Sequence, residues 1–183
     1  MAGRLPAFLQ GEIETPLGPM ALVWDGDALL WAAEFLDDRA RLAKSLARYG
    51  ISPVEEDAAI PPRLADAFAG YFAGELHALE SLPTGCVGSG FERAVWAELR
   101  RIPPGETRSY GELARALGGQ AHGPGANARA VGGANGRNPL AVVVPCHRVI
   151  GADGRLTGYA GGLTRKAWLL AHEGWEAPQK GLF

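Results

Sequence analysis

Cysteine is scarce: Cys86 and Cys146 are the two in 183 residues, too few for a disulfide framework or a structural zinc site. The four histidines, His77, His122, His147 and His172, fall at no metal-ligand spacing, so no metal is expected. No apolar run approaches the roughly 20 residues of a membrane span, and Met1-Ala2-Gly3-Arg4 is followed by no signal-peptide core. A strong net charge is missing as well, since 18 Lys and Arg against 20 Asp and Glu leave −2. These absences predict a reduced, cytoplasmic, globular protein, not bound to a membrane and needing no cofactor. Its length fits one large domain or two small ones.

The near-neutral total hides a segregation. Residues 1–85 carry a net −7 and residues 86–183 a net +5. Ten basic and three acidic side chains stand between Arg100 and Lys166. A positive field concentrated in one half points to a polyanionic partner for that half. Residues 81–90, Ser-Leu-Pro-Thr-Gly-Cys-Val-Gly-Ser-Gly, have linker composition. They set a boundary between domains 1–85 and 86–183. Cys86 lies in this stretch with no base or cation beside it, and reads as incidental.

In the first half Glu12-Ile13-Glu14-Thr15 precedes Pro16-Leu17-Gly18-Pro19, and Met20-Ala21-Leu22-Val23-Trp24 precedes Asp25-Gly26-Asp27. With residues 28–35 they predict an antiparallel meander of three strands. Residues 38–49, with Leu42, Leu46 and Tyr49 on one face, and 62–74, with Leu64, Phe68, Tyr71 and Phe72, predict amphipathic helices. Glu55-Glu56-Asp57 reads as a solvated loop. In the second half, residues 91–101 predict a helix with Phe91, Val95, Trp96 and Leu99 inward, ended by Ile102-Pro103-Pro104-Gly105. Ser109 caps a helix to residue 117, with Glu112 completing a capping box. Residues 126–135 predict another helix, and Thr164 caps a last one through His172.

One stretch carries chemistry. In Asn138-Pro139-Leu140-Ala141-Val142-Val143-Val144-Pro145-Cys146-His147-Arg148-Val149-Ile150, five apolar residues, three of them β-branched, predict a strand buried on both faces and stopped by Pro145. A thiol, an imidazole and a guanidinium follow. By itself Cys146 reads as a buried small hydrophobe. A neighbouring base and cation, however, favour the nucleophilic thiolate. Adjacent side chains on an extended strand point to opposite faces, so Cys146 and His147 meet only if the backbone turns or a water bridges them. Glu173, on a predicted helix, is the nearest downstream carboxylate that could hold the imidazole, though spacing alone does not select it.

The helices at 109–117 and 126–135 suggest a helix-turn-helix. The second is nearly bare of side chains, with Ala128, Ala130, Gly132, Gly133 and Ala134 around Arg129. Each glycine costs a helix interior about 1 kcal/mol, which close backbone approach or tight core packing would explain. A major-groove reader presents several polar side chains to base edges. One arginine on a smooth helix suits a minor groove, with Arg129 entering the base stack.

These residues resemble the DNA alkyltransferase family that repairs O6-alkylguanine, in its bacterial form. The resemblance rests on ordered blocks that span essentially the whole second half. They are Ser109-Tyr110-Gly111-Glu112-Leu113-Ala114, Ala128-Arg129-Ala130-Val131-Gly132-Gly133-Ala134-Asn135, the run from Asn138-Pro139 to Pro145-Cys146-His147-Arg148-Val149-Ile150, Gly158-Tyr159-Ala160-Gly161-Gly162, and Lys166-Ala167-Trp168-Leu169-Leu170-Ala171-His172-Glu173-Gly174. Glu14-Thr15-Pro16-Leu17-Gly18-Pro19 and Tyr71-Phe72-Ala73-Gly74 extend it more thinly into the first half. The fold so implied is α/β (α+β): an N-terminal ribonuclease-H-like sheet-and-helix domain, then a C-terminal winged-helix-like helix-turn-helix domain.

The resemblance also implies roles. Cys146 would accept the alkyl group, its thiolate formed through a water to His147, which Glu173 orients. Arg129 would fill the stack after the damaged nucleotide leaves, and Tyr110 would help drive the flip and donate its hydroxyl to the guanine. Ala128, Ala130 and Gly132 would lie against DNA. Main-chain groups near Cys146, Val149 and Ala160 would read the base. Asn138 would be structural, between the recognition helix and the acceptor loop, and Arg148 would form a structural ion pair. The expected partner is double-stranded DNA containing alkylated bases, bound by a monomer with or without cooperativity, and O4-alkylthymine is a further possible substrate. Two features depart from the family pattern: the connection 118–125 is longer, and Asn127 replaces a small alanine. The zinc ligands of some animal members are absent. A non-enzymatic sensor would lack the acceptor cysteine, and a cysteine hydrolase would need an oxyanion hole that the sequence does not display.

Overall fold

The computed structural model describes residues 7–118 and 127–176. They form two compact units, one comprising the residues up to Ser89 with Pro139–Val143, the other Gly90–Asn138 and the residues from Val144 onward.

The first unit is built on a four-stranded sheet. Strands β1 (Phe8–Ile13), β2 (Met20–Asp25) and β3 (Leu30–Phe35) form the antiparallel meander. A fourth strand, β4 (Pro53–Glu55), lies parallel to β1 and completes the order β3-β2-β1-β4. Every residue of β2 is buried, as a central strand covered on both faces requires. Helix α1 (Arg39–Arg48) buries Leu42 and Leu46, and α2 (Pro62–Phe72) buries Leu64, Phe68 and Tyr71. The first strand starts and ends earlier than its alternation suggested, and it ends at Ile13 because Thr15 belongs to the turn. Its hydroxyl accepts from Leu17 N–H and donates to Gly18 O, diverting the chain. β4 is too short to leave a period in the sequence, so the sequence reading missed it.

The stretch of linker composition is not a free tether. Leu30 N–H donates to Pro83 O and Gly85 N–H to Leu30 O, so residues 83–85 run beside β3. A Cβ on Gly85 would fall 2.1 Å from the Trp31 ring, which explains the glycine. Further along the same strand, Ala33 donates to Pro139 O and accepts from Ala141 N–H. Two short segments thus cover the edge that β3 would otherwise leave open.

That second segment overturns the expected strand before Cys146. Residues 138–144 are buried throughout, yet they make a single parallel bridge, Leu140 to Ala33, and then turn at 141–143. Val142 adopts φ 70°, a rare conformation for a β-branched residue. An unbroken apolar run specifies burial but carries no period that distinguishes strand from turn. Asn138 Nδ2 donates to Val144 O at 2.8 Å and closes the loop across the turn.

The second unit is mainly helical: α3 (Gly90–Arg100), α4 (Tyr110–Gly118), α5 (Ala128–Gly136) and α6 (Leu163–His172). A two-residue parallel pair, β5 (Arg108–Ser109) with β6 (Val149–Ile150), joins the start of α4 to the residues after Cys146. The capping box forms: Ser109 N–H and Oγ both donate to Glu112 Oε2, and Glu112 N–H donates back to Ser109 Oγ. Asn127, unusual by family resemblance, is the N-cap of α5, its Oδ1 accepting from Ala130 N–H at 2.9 Å. Most of the long connection, from residue 119 to Ala126, lies outside the described residues. Thr164 does not cap α6. Gly162 does, at φ 90°, so the chain enters the helix through a conformation that a threonine would strain.

Candidate active site

Cys146, His147 and Arg148 occupy one turn of 3₁₀ helix entered from Pro145. The backbone therefore turns at the thiol, and successive side chains diverge by about 120° around the turn. All three are buried, Cys146 at 7% exposure and His147 at 0%. Neither cysteine is disulfide-bonded; Cys86 is exposed.

Glu173 caps the C-terminus of α6, its N–H bonded to Leu169 O, and this delivers its carboxylate to the turn. Oε1 receives His147 Nε2 at 2.8 Å and Arg148 Nη2 at 2.8 Å, while Oε2 receives Arg148 Nε at 2.8 Å. Arg148 Nη1 donates to Ile102 O, tying the cluster to the loop after α3. Burial by itself would raise the Glu173 carboxyl. The hydrogen bonds and charges of His147 and Arg148 outweigh it and hold the group well below the usual carboxylate range. For His147, burial dominates and lowers its pKa, with Glu173 opposing and Arg148 and Lys166 adding to the fall. The pair thus rests as carboxylate and neutral imidazole. An ionised Glu173 accepts from Nε2–H, so the lone pair lies on Nδ1. Nδ1 is buried and has no protein partner among the described residues. A neutral imidazole with a bare ring nitrogen next to a thiol can serve as a base.

The same unit carries a cleft of about 690 Å³ between α5 and the loop 157–160, and Cys146, His147 and Glu173 are not among its lining residues. Tyr110, Ala128, Arg129, Gly132 and Gly136 line it opposite Thr157, Gly158, Tyr159 and Ala160. Arg129 is exposed and makes no ion pair with a described residue. Val131, Ala134 and Asn135 turn the other way, into the core, where Trp96 Nε1 donates to Ala134 O. The bareness of α5 has two causes. One is tight packing: an added Cβ on Gly133 would fall 3.0 Å from the Arg137 guanidinium. The other is the cleft face, where Gly132 lies under the Tyr110 ring and an added Cβ would make ordinary contact at 3.8 Å. Arg137 in turn grips the buried Glu92 at 2.6 Å. Ala130 is half-buried and lies away from the cleft lining.

Tyr110 Oη donates toward Thr157 O and Gly158 O, each at 3.3 Å. Burial raises its pKa, the Cys146 charge adds to this, and the Thr157 contact opposes it. The hydroxyl therefore stays protonated and available as a donor. Val149, near which main-chain groups were expected to read the base, is buried, and its carbonyl accepts from Lys166 Nζ. Ala160 is exposed on the lip of the cleft. Two buried polar residues escaped the sequence reading. Asn135 Nδ2 donates to Cys146 O at 3.4 Å, and Lys166 reaches both Val149 and Thr157. A lysine on the otherwise apolar inward face of α6, with Leu169 and Leu170, was the available signal for the latter.

Fold and site together define an α/β protein with a buried cysteine, an imidazole–carboxylate pair and an arginine-bearing cleft on one unit. Residues 90–175 match the family model described as 6-O-methylguanine DNA methyltransferase, DNA binding domain. A methylated-DNA–protein-cysteine methyltransferase of Salmonella typhimurium is 49% identical over 170 residues, 92% of this chain and 96% of the relative. One from Mycobacterium bovis is 42% identical over 166 residues, 91% of this chain and 92% of its own. Among solved structures, Mycobacterium tuberculosis OGT in complex with DNA matches with TM-score 0.73 at 41% identity, covering 90% of this chain and 92% of that one. The chain belongs to the methylated-DNA–protein-cysteine methyltransferase family.

Proposed function

We propose that this protein repairs DNA by moving the alkyl group of O6-alkylguanine irreversibly onto Cys146, with O4-alkylthymine as a second candidate substrate. The reading rests chiefly on the bare Nδ1 of a neutral, carboxylate-held His147, the residue that follows the buried Cys146. Cys146 gives its proton, through a water, to Nδ1, and Glu173 carries the imidazolium that forms. The Sγ lone pair attacks the alkyl carbon in line. The carbon–oxygen bond breaks and its electrons leave on the guanine, where the Tyr110 hydroxyl supplies a proton to the developing charge. The product thioether has no neighbour able to cleave it, so each molecule acts once.

A stacked base is out of reach of a buried thiol, so the nucleotide is flipped. The smooth face of α5 (Ala128, Gly132) enters the minor groove, and Arg129 fills the gap in the stack. On this reading α4 and α5 are the helix-turn-helix of a winged-helix-like domain at 86–183, and 1–85 is a ribonuclease-H-like domain. Asn138 and Arg148 serve structure: one closes the loop before the acceptor, the other anchors Glu173. The protein acts as a monomer on duplex DNA.

The test is covalent. O6-methylguanine duplex should add about 14 Da to the peptide holding Cys146 and nothing to Cys86, stop at one equivalent, and leave Cys146→Ser able to bind without repairing. No mass change would mark a sensor, and turnover of excess substrate with unchanged protein mass would mark a hydrolase. Either outcome overturns the proposal.

A further inference from the structure

Asn135 stands on the inward face of α5 with two apolar neighbours, Val131 and Ala134, and is 3% exposed. Its amide lies against the peptide that joins Cys146 to His147: Nδ2 donates to Cys146 O at 3.4 Å, a long bond. The opposite orientation would set Oδ1 against a carbonyl oxygen, so Oδ1 is the end turned away from it. Oδ1 is buried and accepts from no described residue. A leucine has nearly the same shape and would fill this place without stranding an acceptor, so packing does not explain the asparagine. A second buried acceptor without a donor among the described residues, His147 Nδ1, belongs to the residue on the other side of the same peptide. A water molecule has two hydrogens to give, and these two acceptors use both. Its lone pairs are then what remains for a thiol to meet.

We infer that Asn135 is a positioning residue for thiolate formation: its Oδ1 and His147 Nδ1 together hold one water, so that the lone pairs of that water face Cys146. The inference rests on the alkyl-transfer reading, in which the thiol proton travels through a water to Nδ1. That proton passes to the water oxygen while one of the water's own protons passes to Nδ1. The water emerges with two hydrogens, one still on Oδ1 and the other toward the new thiolate, and it accepts from Nδ1–H. Oδ1 thus fixes one hydrogen and leaves one to move. Without it the water can turn either way, and the thiolate is held less well. Arg148 on the turn, Glu173 and Lys166 from α6 and Tyr110 from α4 also act on this thiol and imidazole, while Glu92 of α3 is engaged by Arg137 at the end of α5. Asn135 itself carries no charge at any pH, so replacing it removes a hydrogen-bonding group and leaves these charges in place.

The experiment follows two reactions of Cys146 in the full chain from about pH 5 to about 9.5: alkylation by iodoacetamide, which needs only the thiolate, and transfer from free O6-benzylguanine. Both are read by mass on the peptide holding Cys146. Asn135→Leu should move the iodoacetamide midpoint up by about one pH unit and slow the reaction about tenfold near neutral pH, with the alkaline plateau within about twofold of wild type. Benzyl transfer should fall about tenfold near neutral pH and recover over the same alkaline range. A merely structural asparagine would lower transfer at every pH and leave the midpoint in place, and that result overturns the inference. So does a midpoint shifted down, which would mean that the thiol donates to Oδ1 directly and that the asparagine holds the proton back. If Asn135→Leu fails to fold, a crystal structure of the unmodified protein decides: one water within about 3.2 Å of both Oδ1 and Nδ1 is expected, and a water on Nδ1 alone, or none, overturns it. A wild type that iodoacetamide alkylates but that never accepts a benzyl group would sink the alkyl-transfer reading itself, and the inference with it.

Discussion

Arg148 grips both oxygens of Glu173, Nε on Oε2 and Nη2 on Oε1, each at 2.8 Å, so the carboxylate that holds His147 is itself held. Planar two-point contact of this kind fixes direction as well as distance. It fixes the direction in which Glu173 presents Oε1 to the imidazole.

Glu173→Gln should leave Arg148 buried without its counter-charge. We expect a loss of about 3–5 kcal/mol in urea unfolding, the usual cost of removing one partner of a buried pair. The sign with pH follows from the lowered carboxyl: its contribution is complete above the unfolded carboxylate pKa and is lost as pH falls through and below it. Acid unfolding should therefore be shallower in Glu173→Gln than in wild type. Equal acid sensitivity would remove Glu173 as its source.

Glu34 has the opposite sign. Buried on β3 and paired with Arg41 at 3.0 Å, it is raised by burial to about 7, with Arg41 only partly offsetting this. A raised carboxyl stabilises the fold below its unfolded pKa and loses that contribution as pH rises toward about 7. Melting temperatures of Glu34→Gln and wild type should therefore converge at low pH, with the wild type losing ground between about pH 4.5 and 7. A constant difference across that range would contradict the assignment.

Arg129→Ala should lose most repair of duplex DNA, on the order of a hundredfold, while free O6-benzylguanine reacts within a few-fold of wild type. The side chain is exposed on the cleft and sits apart from the His147–Glu173 pair. Equal losses on both substrates would place it in the chemistry or the fold.

Duplex affinity should fall steeply with salt and vary little with sequence, because the +5 of residues 86–183 acts on phosphates. Titrations at several salt concentrations on two unrelated duplexes measure both terms. Strong sequence dependence with a flat salt response would contradict it.

The local features were legible because their causes are local. The Ser109–Glu112 capping box spans three residues and closes as its spacing demanded. The inward faces of α1 and α2 follow from periods of three and four. Where the pattern had no period, the sequence was mute: Leu140 to Val144 is buried as expected but turns at Val142 instead of extending. Residues 83–85 looked like a tether because composition records flexibility and not the strand edge they cover.

By itself the sequence determined which side chains are buried, where most helices begin and end, and that a thiol, an imidazole and a guanidinium stand together at 146–148. Tertiary structure decided what those groups are. The return of α6 brings Glu173 to His147 from 26 residues away; burial then makes the histidine neutral, while the hydrogen bonds and charges of His147 and Arg148 keep the glutamate ionised against burial. The same helix carries Lys166 to two carbonyls that no spacing connects. A helix period fixes which face turns inward, but the partner it meets depends on how the intervening chain folds back, and a group's charge depends on the water that this folding removes.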